Sequence, residues 1–294
     1  MEPSPQARSV GRVLPAVRTV EGEGMIVRRP FPTAQVALID PFLLLDHLGP
    51  VVHAPGEAKG TAEHPHRGFE TVTYLLDGGI DHKDSLGNAG HLGPGSVQWM
   101  TAGAGVVHSE KPDAYTQEHG GPIHGFQLWV NLRAAEKMVL PRYQDVPAES
   151  LPIVERNGVW AKVIAGDALG VVSPVQTRSP VQYVHARLDP GAYIELPAPE
   201  AHTALAYVVA GACDVGANAV ECSEGDLAWL AADGDTVFVH CPSDATRAVD
   251  VLVLTGEPLC EPVARYGPFV MNTREQILEA FDDYESGSLA RPLE

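Results

Sequence analysis

Two short strings, YLLDGG from Tyr74 and YVVAGA from Tyr207, share one plan: a run of β-formers that ends in glycine. A Gly-x-x-x-Trp stretch follows each of them, GSVQWM from Gly95 and GDLAWL from Gly225. Landmarks that recur in one order at nearly one interval mark a duplicated unit. The unit itself is built from strands. TVTYLLDGG, GFQLWVNL and GVWAKVIAG are rich in β-branched and aromatic residues and are bounded by turn residues. The 29 glycines and 25 prolines supply the many turns that such short runs need. The sequence therefore predicts an all-β protein of two tandem barrels, residues 1–145 and 146–294. The seam is placed at NLRAAEKMVLPRYQDVPAESLP, where Pro141, Pro147 and Pro152 alternate with polar residues in the manner of a linker.

A short helix is predicted near the C-terminus, in TREQILEAFDDYESG. Thr273 and Gln276 form a capping-box pattern. Ile277, Phe281 and Tyr284 fall on one helical face, which should dock on a sheet, and Gly287 suits the stop.

The chain carries 20 Lys and Arg against 38 Asp and Glu, a formal net charge of −18. Such a surface repels phosphate backbones and anionic lipid, which argues against direct nucleic-acid binding. The opening MEPSPQARSV lacks the charged-then-apolar order of a signal peptide. VALIDPFLLLD is too short to span a bilayer and contains Asp40 and Pro41. Four cysteines, at 213, 222, 241 and 260, form no C-x-x-C pair, so a zinc ribbon or thioredoxin-like motif is excluded. A cytoplasmic monomer with reduced thiols is expected, with a 213–222 bridge across a hairpin as the alternative.

The chemistry is concentrated in two dipeptide pairs. EHPHRGFETVTYLL opens with His64 and His66, one residue apart at the head of an apolar run. Side chains at i and i+2 of a strand point to one side, ~6.6 Å apart along the chain. VVHSE places His108 and Glu110 at the same spacing. If the two strands pair, three imidazoles and one carboxylate meet on one face, with strands ~4.8 Å apart and ligand bonds of ~2.0–2.2 Å within reach. Such a set suits a divalent transition metal and leaves coordination positions open for chemistry. The expected metal ligands are His64, His66, His108 and Glu110. His53, His82, His91, His119 and His124 lie in or near Gly- and Pro-rich segments and are expected to be solvated loop residues. Phe69 and Trp99 are expected in the core.

HPHRGFETVTYLLDGGIDHKDSLGNAGHLGPGSVQWMTAGAGVVHSE resembles the signature region of the pirin family, within the cupin superfamily. GFQLWVNL with KMVLPRYQ, and YGPFVMNTREQI near the end, are also similar to it, so the resemblance covers nearly the whole chain. It implies two cupin barrels, with iron, Fe(II), in the N-terminal one, held at the positions of His64, His66, His108 and Glu110. The wider cupin pattern H-x-H-x-x-x-E puts Glu70 in the carboxylate's place, and strand parity seats it on the face of His66. The resemblance favours Glu110. In the second repeat, Pro197 and Pro199 stand where His64 and His66 stood, and His202 and His240 have no i, i+2 partner. That barrel is expected to have lost its metal.

The resemblance implies a quercetin 2,3-dioxygenase, which opens a flavonol ring with O2 and releases carbon monoxide. Glu110 would then be a ligand and the catalytic base for the 3-hydroxyl. The alternative is a redox-responsive regulator that binds a transcription factor or metabolic enzyme. A cupin isomerase or sugar-binding protein, with no dependence on oxygen, is a third reading. The ligand set by itself also suits nickel, manganese or copper.

Overall fold

The structure, a computed structural model, describes residues 6–289. It divides into two compact units, each built on the same plan. One has a seven-stranded sheet in the order Arg142–Val146, Val97–Thr101, Phe69–Asp77, Gly121–Asn131, Phe42–His53, Met25–Phe31 and Val17–Glu21. Its four-stranded sheet runs Thr61–His66, Val106–Pro112, Ile80–Asp84, Ala89–Leu92. The second unit repeats the seven-plus-four arrangement, with Val10–Pro15 at one edge of the larger sheet and Ile153–Arg156 at the other. The duplicated landmarks occupy matching places. Tyr74 lies on the central strand Phe69–Asp77 and Tyr207 on Thr203–Ala210, each strand paired with the Gly-x-x-x-Trp strand that follows it.

Strand formation follows residue type closely. Val159–Ala165 sends Val159, Ala161 and Val163 into an apolar cluster with Val184, Ala186 and Val251. Small and β-branched side chains, with Cys213, Cys222 and Cys241, fill the inside of this second barrel, and among the described residues no group of three His, Cys, Asp or Glu converges there. The first barrel differs at the equivalent face, where polar residues interrupt the alternation.

The chain ends depart from the boundary at 145/146. Residues 6–17, with Ile39–Pro41, cluster with the second barrel, and residues 259–289 with the first. Leu14 and Val10 explain the first exchange: both are buried in a strand paired to Asp226–Leu230. Phe269, Met271, Ile277 and Ala280 explain the other, because they form one buried cluster against Val107 of the first barrel. The proline-rich seam is more ordered than a linker. Arg142–Val146 pairs along its whole length with Val97–Thr101.

The helix forms over Arg274–Glu285 with both capping-box bonds, Gln276 N–H to Thr273 Oγ1 at 3.3 Å and Thr273 N–H to Gln276 Oε1 at 3.1 Å. Gly287 follows at φ 74°, where a side chain would be strained. Phe281 meets Phe269 edge-on at 4.8 Å. Tyr284, expected on the same docked face, meets the Phe269 ring edge-on at 6.5 Å but stays 39% exposed. Cys213 and Cys222 do face each other across a hairpin, but both are free thiols.

Lys137, in the stretch expected as linker, is buried and ties three segments together. Its Nζ donates to Gly68 O at 2.7 Å, Asn131 Oδ1 at 2.7 Å and Val270 O at 3.0 Å. Burial lowers its pKa to about 8. Replacing it with Met leaves these acceptors without their donor in the interior. Urea unfolding of Lys137→Met should show a loss of about 3 kcal/mol.

Candidate metal centre

The strands Thr61–His66 and Val106–Pro112 pair antiparallel, with His108 opposite His64 and Val106 opposite His66. The three imidazoles thereby converge. One nitrogen from each of His64, His66 and His108 lies within 4.8 Å of the others. His64 Nε2 and His66 Nε2 are 2.9 Å apart.

The tautomers fit a metal. His64 Nδ1 donates to Ala62 O at 2.8 Å, and His66 Nδ1 lies 3.4 Å from Pro268 O. With Nδ1 protonated toward a carbonyl, Nε2 of each ring is a lone pair aimed at the shared point, the usual arrangement of metal-bound histidines. His108 adds an independent sign. Both its ring nitrogens are buried without a hydrogen-bond partner, a costly state that a coordinated ion relieves. Burial also keeps two of the rings neutral. It holds His66 well below the usual imidazole range and His108 at about 4. These three residues suit a divalent transition metal.

The sign of the acid response follows. Between about pH 6.5 and 4, His108 of the unfolded chain binds a proton that the folded chain refuses. The metal-free protein should therefore lose stability as pH falls through that window, by about 3 kcal/mol from this residue at a slope of about 1.4 kcal/mol per pH unit. Denaturant titrations at pH 7, 5.5 and 4 measure it.

Glu110 stands beside the three rings rather than among them. The pairing slips between His108 and Glu110, where the three steps from Thr61 to His64 oppose two on the Val106–Pro112 strand. Glu110 lines the cavity that His64 and His66 also line, and its Oε1 accepts from Thr73 Oγ1 at 3.1 Å. That hydroxyl has one proton, shared with Gln127 Oε1 at 2.9 Å.

Glu70 is elsewhere. It accepts from Thr101 Oγ1 at 2.7 Å, is buried, and is not among the residues lining the cavity. The parity argument that put it on the face of His66 fails because the strand stops. Gly68 sits at φ 89° between His66 and Phe69, and the next strand restarts in a new phase. Thr73 faces the cavity, so Glu70, an odd number of positions away on the same strand, faces the other side.

Four of the histidines expected in loops, His53, His82, His91 and His124, are on strands. His82 is buried opposite Glu110, stacks on Tyr143 and lies 3.4 Å from Asp145. His124 meets His47 at 2.8 Å between Nε2 atoms. Glycines flanking IDHKD and PIHGF suggested loops, but both segments pair fully with neighbours. His91 is exposed and lies 2.9 Å from Asp81, as a solvated residue would. His119 closes a short helix, Ala114–His119, rather than lying in a loop. Phe69 and Trp99 are fully buried.

The cavity over the site holds about 500 Å³. Val27, Leu44, Leu48 and Ile123 give it apolar walls, and Trp129 lies edge-on to His66 at 5.2 Å. Thr73, Gln127 and Trp129 escaped the sequence reading. The spacing of Gln127 and Trp129 within GFQLWVNL carries the one available signal, since i and i+2 share a face.

Two family models match: pirin over residues 24–130, and the pirin C-terminal cupin domain over residues 183–290. The chain belongs to the pirin family. Its two barrels are thus cupin domains. Pirin of Homo sapiens is 44% identical over 268 residues, which cover 90% of this chain and 88% of that protein. Pirin-1 of Arabidopsis thaliana is 42% identical over 274 residues, covering 90% of this chain and 89% of the other. A crystal structure of quercetin 2,3-dioxygenase from Acinetobacter baumannii superimposes with a TM-score of 0.88 at 36% identity, over 96% of this chain and 98% of that one. No helix among the described residues is long and apolar enough to cross a membrane.

Proposed function

We propose that this pirin-family protein is a flavonol 2,3-dioxygenase whose metal, Fe(II), is held by His64, His66 and His108, with Glu110 beside them as the base. One observation carries the reading: three imidazoles converge on one point at a cavity with apolar walls that Glu110 also lines. The similarity to the Acinetobacter enzyme supports the substrate class. When bound, the metal supplies electron relay between an oxygen-donor substrate and dioxygen.

The chain's own groups do the rest. The apolar walls strip water from a planar aromatic ligand and fix its orientation. Glu110 takes the proton of the flavonol 3-hydroxyl, leaving an electron-rich enolate. The Thr73 hydroxyl, by donating to Oε1, holds the carboxylate in place. Overall, flavonol and O2 become the ring-opened ester and carbon monoxide, with both oxygen atoms retained in the ester.

Product analysis of the iron-loaded protein tests this. Carbon monoxide and ring-opened ester should appear in equal amounts, with one O2 consumed for each. Oxygen uptake no faster than that of free iron, together with a protein partner that co-purifies at fixed stoichiometry, would instead favour the regulator.

A further inference from the structure

We propose that the cavity selects an aromatic substrate bearing a second anionic group besides the hydroxyl that faces Glu110, and that Arg265 is the residue that selects it. The inference rests on the dioxygenase reading for the reaction but on separate residues for recognition.

The cavity's charge opposes that of the chain. The whole protein carries −18, yet Arg29, Lys59, Lys111 and Arg265 line this cavity against three acids, Glu21, Asp46 and Glu110. Arg29 is already neutralised. Its Nε donates to Asp46 Oδ1 at 2.7 Å and its Nη2 to Glu21 Oε1 at 2.6 Å. That group of one cation and two carboxylates keeps one negative charge, so the lining as a whole is four cations against three acids, a net +1. Lys59 and Lys111 are exposed and well hydrated, so they add field more than specific contact.

Arg265 is different because its guanidinium is fixed. Its Nη1 donates to Leu43 O at 3.1 Å, and its plane lies 4.8 Å from the centre of the Trp129 ring. It has no carboxylate partner among the described residues. A guanidinium held by a carbonyl and an indole, with N–H groups to spare, presents a preformed fork for a carboxylate, sulfonate or phenolate. Trp129 touches both groups, meeting the His66 ring edge-on at 5.2 Å and the Arg265 guanidinium at 4.8 Å. A ligand laid along this indole with its reacting hydroxyl at the three histidines can carry its second charge to Arg265.

Steady-state oxygen uptake with 3-hydroxyflavone, and with a derivative sulfonated on its remote ring, separates the outcomes. The native protein should show a KM about tenfold lower for the sulfonate than for the parent at low salt, a preference that shrinks at high salt. Arg265→Gln should raise KM for the sulfonate about tenfold more than for the parent, and Arg265→Lys should recover part of the difference. Equal shifts for both flavonols, or a native preference for the parent, overturn the inference. Calorimetric binding of naphthalene-2-sulfonate to the metal-free protein gives a readout independent of turnover. Arg265-dependent binding without any flavonol turnover would sustain the anion site while removing the dioxygenase reading. Binding that Arg265→Gln leaves unaltered would overturn the anion site.

Discussion

Glu110→Gln should lower flavonol-dependent oxygen uptake by about 10²–10⁴-fold, the range that a positioned general base contributes. The substitution is nearly isosteric. The amide oxygen still accepts from Thr73 Oγ1, so the shape of the cavity wall and the bond at 3.1 Å are kept. What disappears is basicity and one negative charge. Elemental analysis of the same preparation divides the two roles assigned to this residue. Slow turnover with full metal content identifies Glu110 as the base. Slow turnover with parallel loss of metal identifies it as a ligand. Full turnover with full metal content would remove it from both roles. The geometry makes the first outcome the expected one, because the carboxylate lies outside the group of nitrogens that lie within 4.8 Å of one another.

The slip in pairing after His108 shows where sequence reasoning stops. Period-two alternation placed His64 with His66, and the pairing of His108 opposite His64 followed from two strands that open and close on the same residue types. Apolar content and turn residues made the duplicated barrels legible. A register shift is not written in residue types, since it arises from how a strand meets two neighbours at once. Val106–Pro112 pairs with Thr61–His66 on one side and Ile80–Asp84 on the other, and holds its register with only one of them. The same limit misplaced Glu70. One glycine at φ 89° resets the phase between His66 and Phe69, and a count along the sequence cannot see it. The C-terminal segment was misread for another reason. Its helix, cap and apolar face were plain from local signals, but the sheet that receives that face is fixed by a contact distant in sequence. Arg67 donates from Nε to Ala104 O and pairs with Asp283 of the helix at 2.8 Å, so the loop after His66 is clamped by residues more than two hundred positions away. Arg265 reaches the cavity by the same long-range route.

The second large effect concerns His66. His66→Ala should loosen the metal by about a thousandfold, taking roughly 4 kcal/mol as one ligand's share of a site that binds with 10–16 kcal/mol. The loss should be visible without any substrate, as an absence of iron in protein purified at micromolar metal. Fold and metal can be separated in this case. His66 is buried, but its neutral ring is held there against its own hydration, so a small apolar residue removes an unfavourable polar burial along with the packing. Thermal unfolding of the metal-free variant should accordingly remain cooperative. Glu70→Gln supplies the contrast. Its amide keeps an acceptor for Thr101 Oγ1, and the residue lies outside the cavity, so metal content should match that of the native protein. If Glu70→Gln lost its iron while Glu110→Gln retained it, the carboxylate would belong to the general cupin position after all, and the wall beside Thr73 would have no part in coordination. If His66→Ala retained a full equivalent of iron, the convergence of three imidazoles would be a packing arrangement, and the chemistry derived from it would lose its footing.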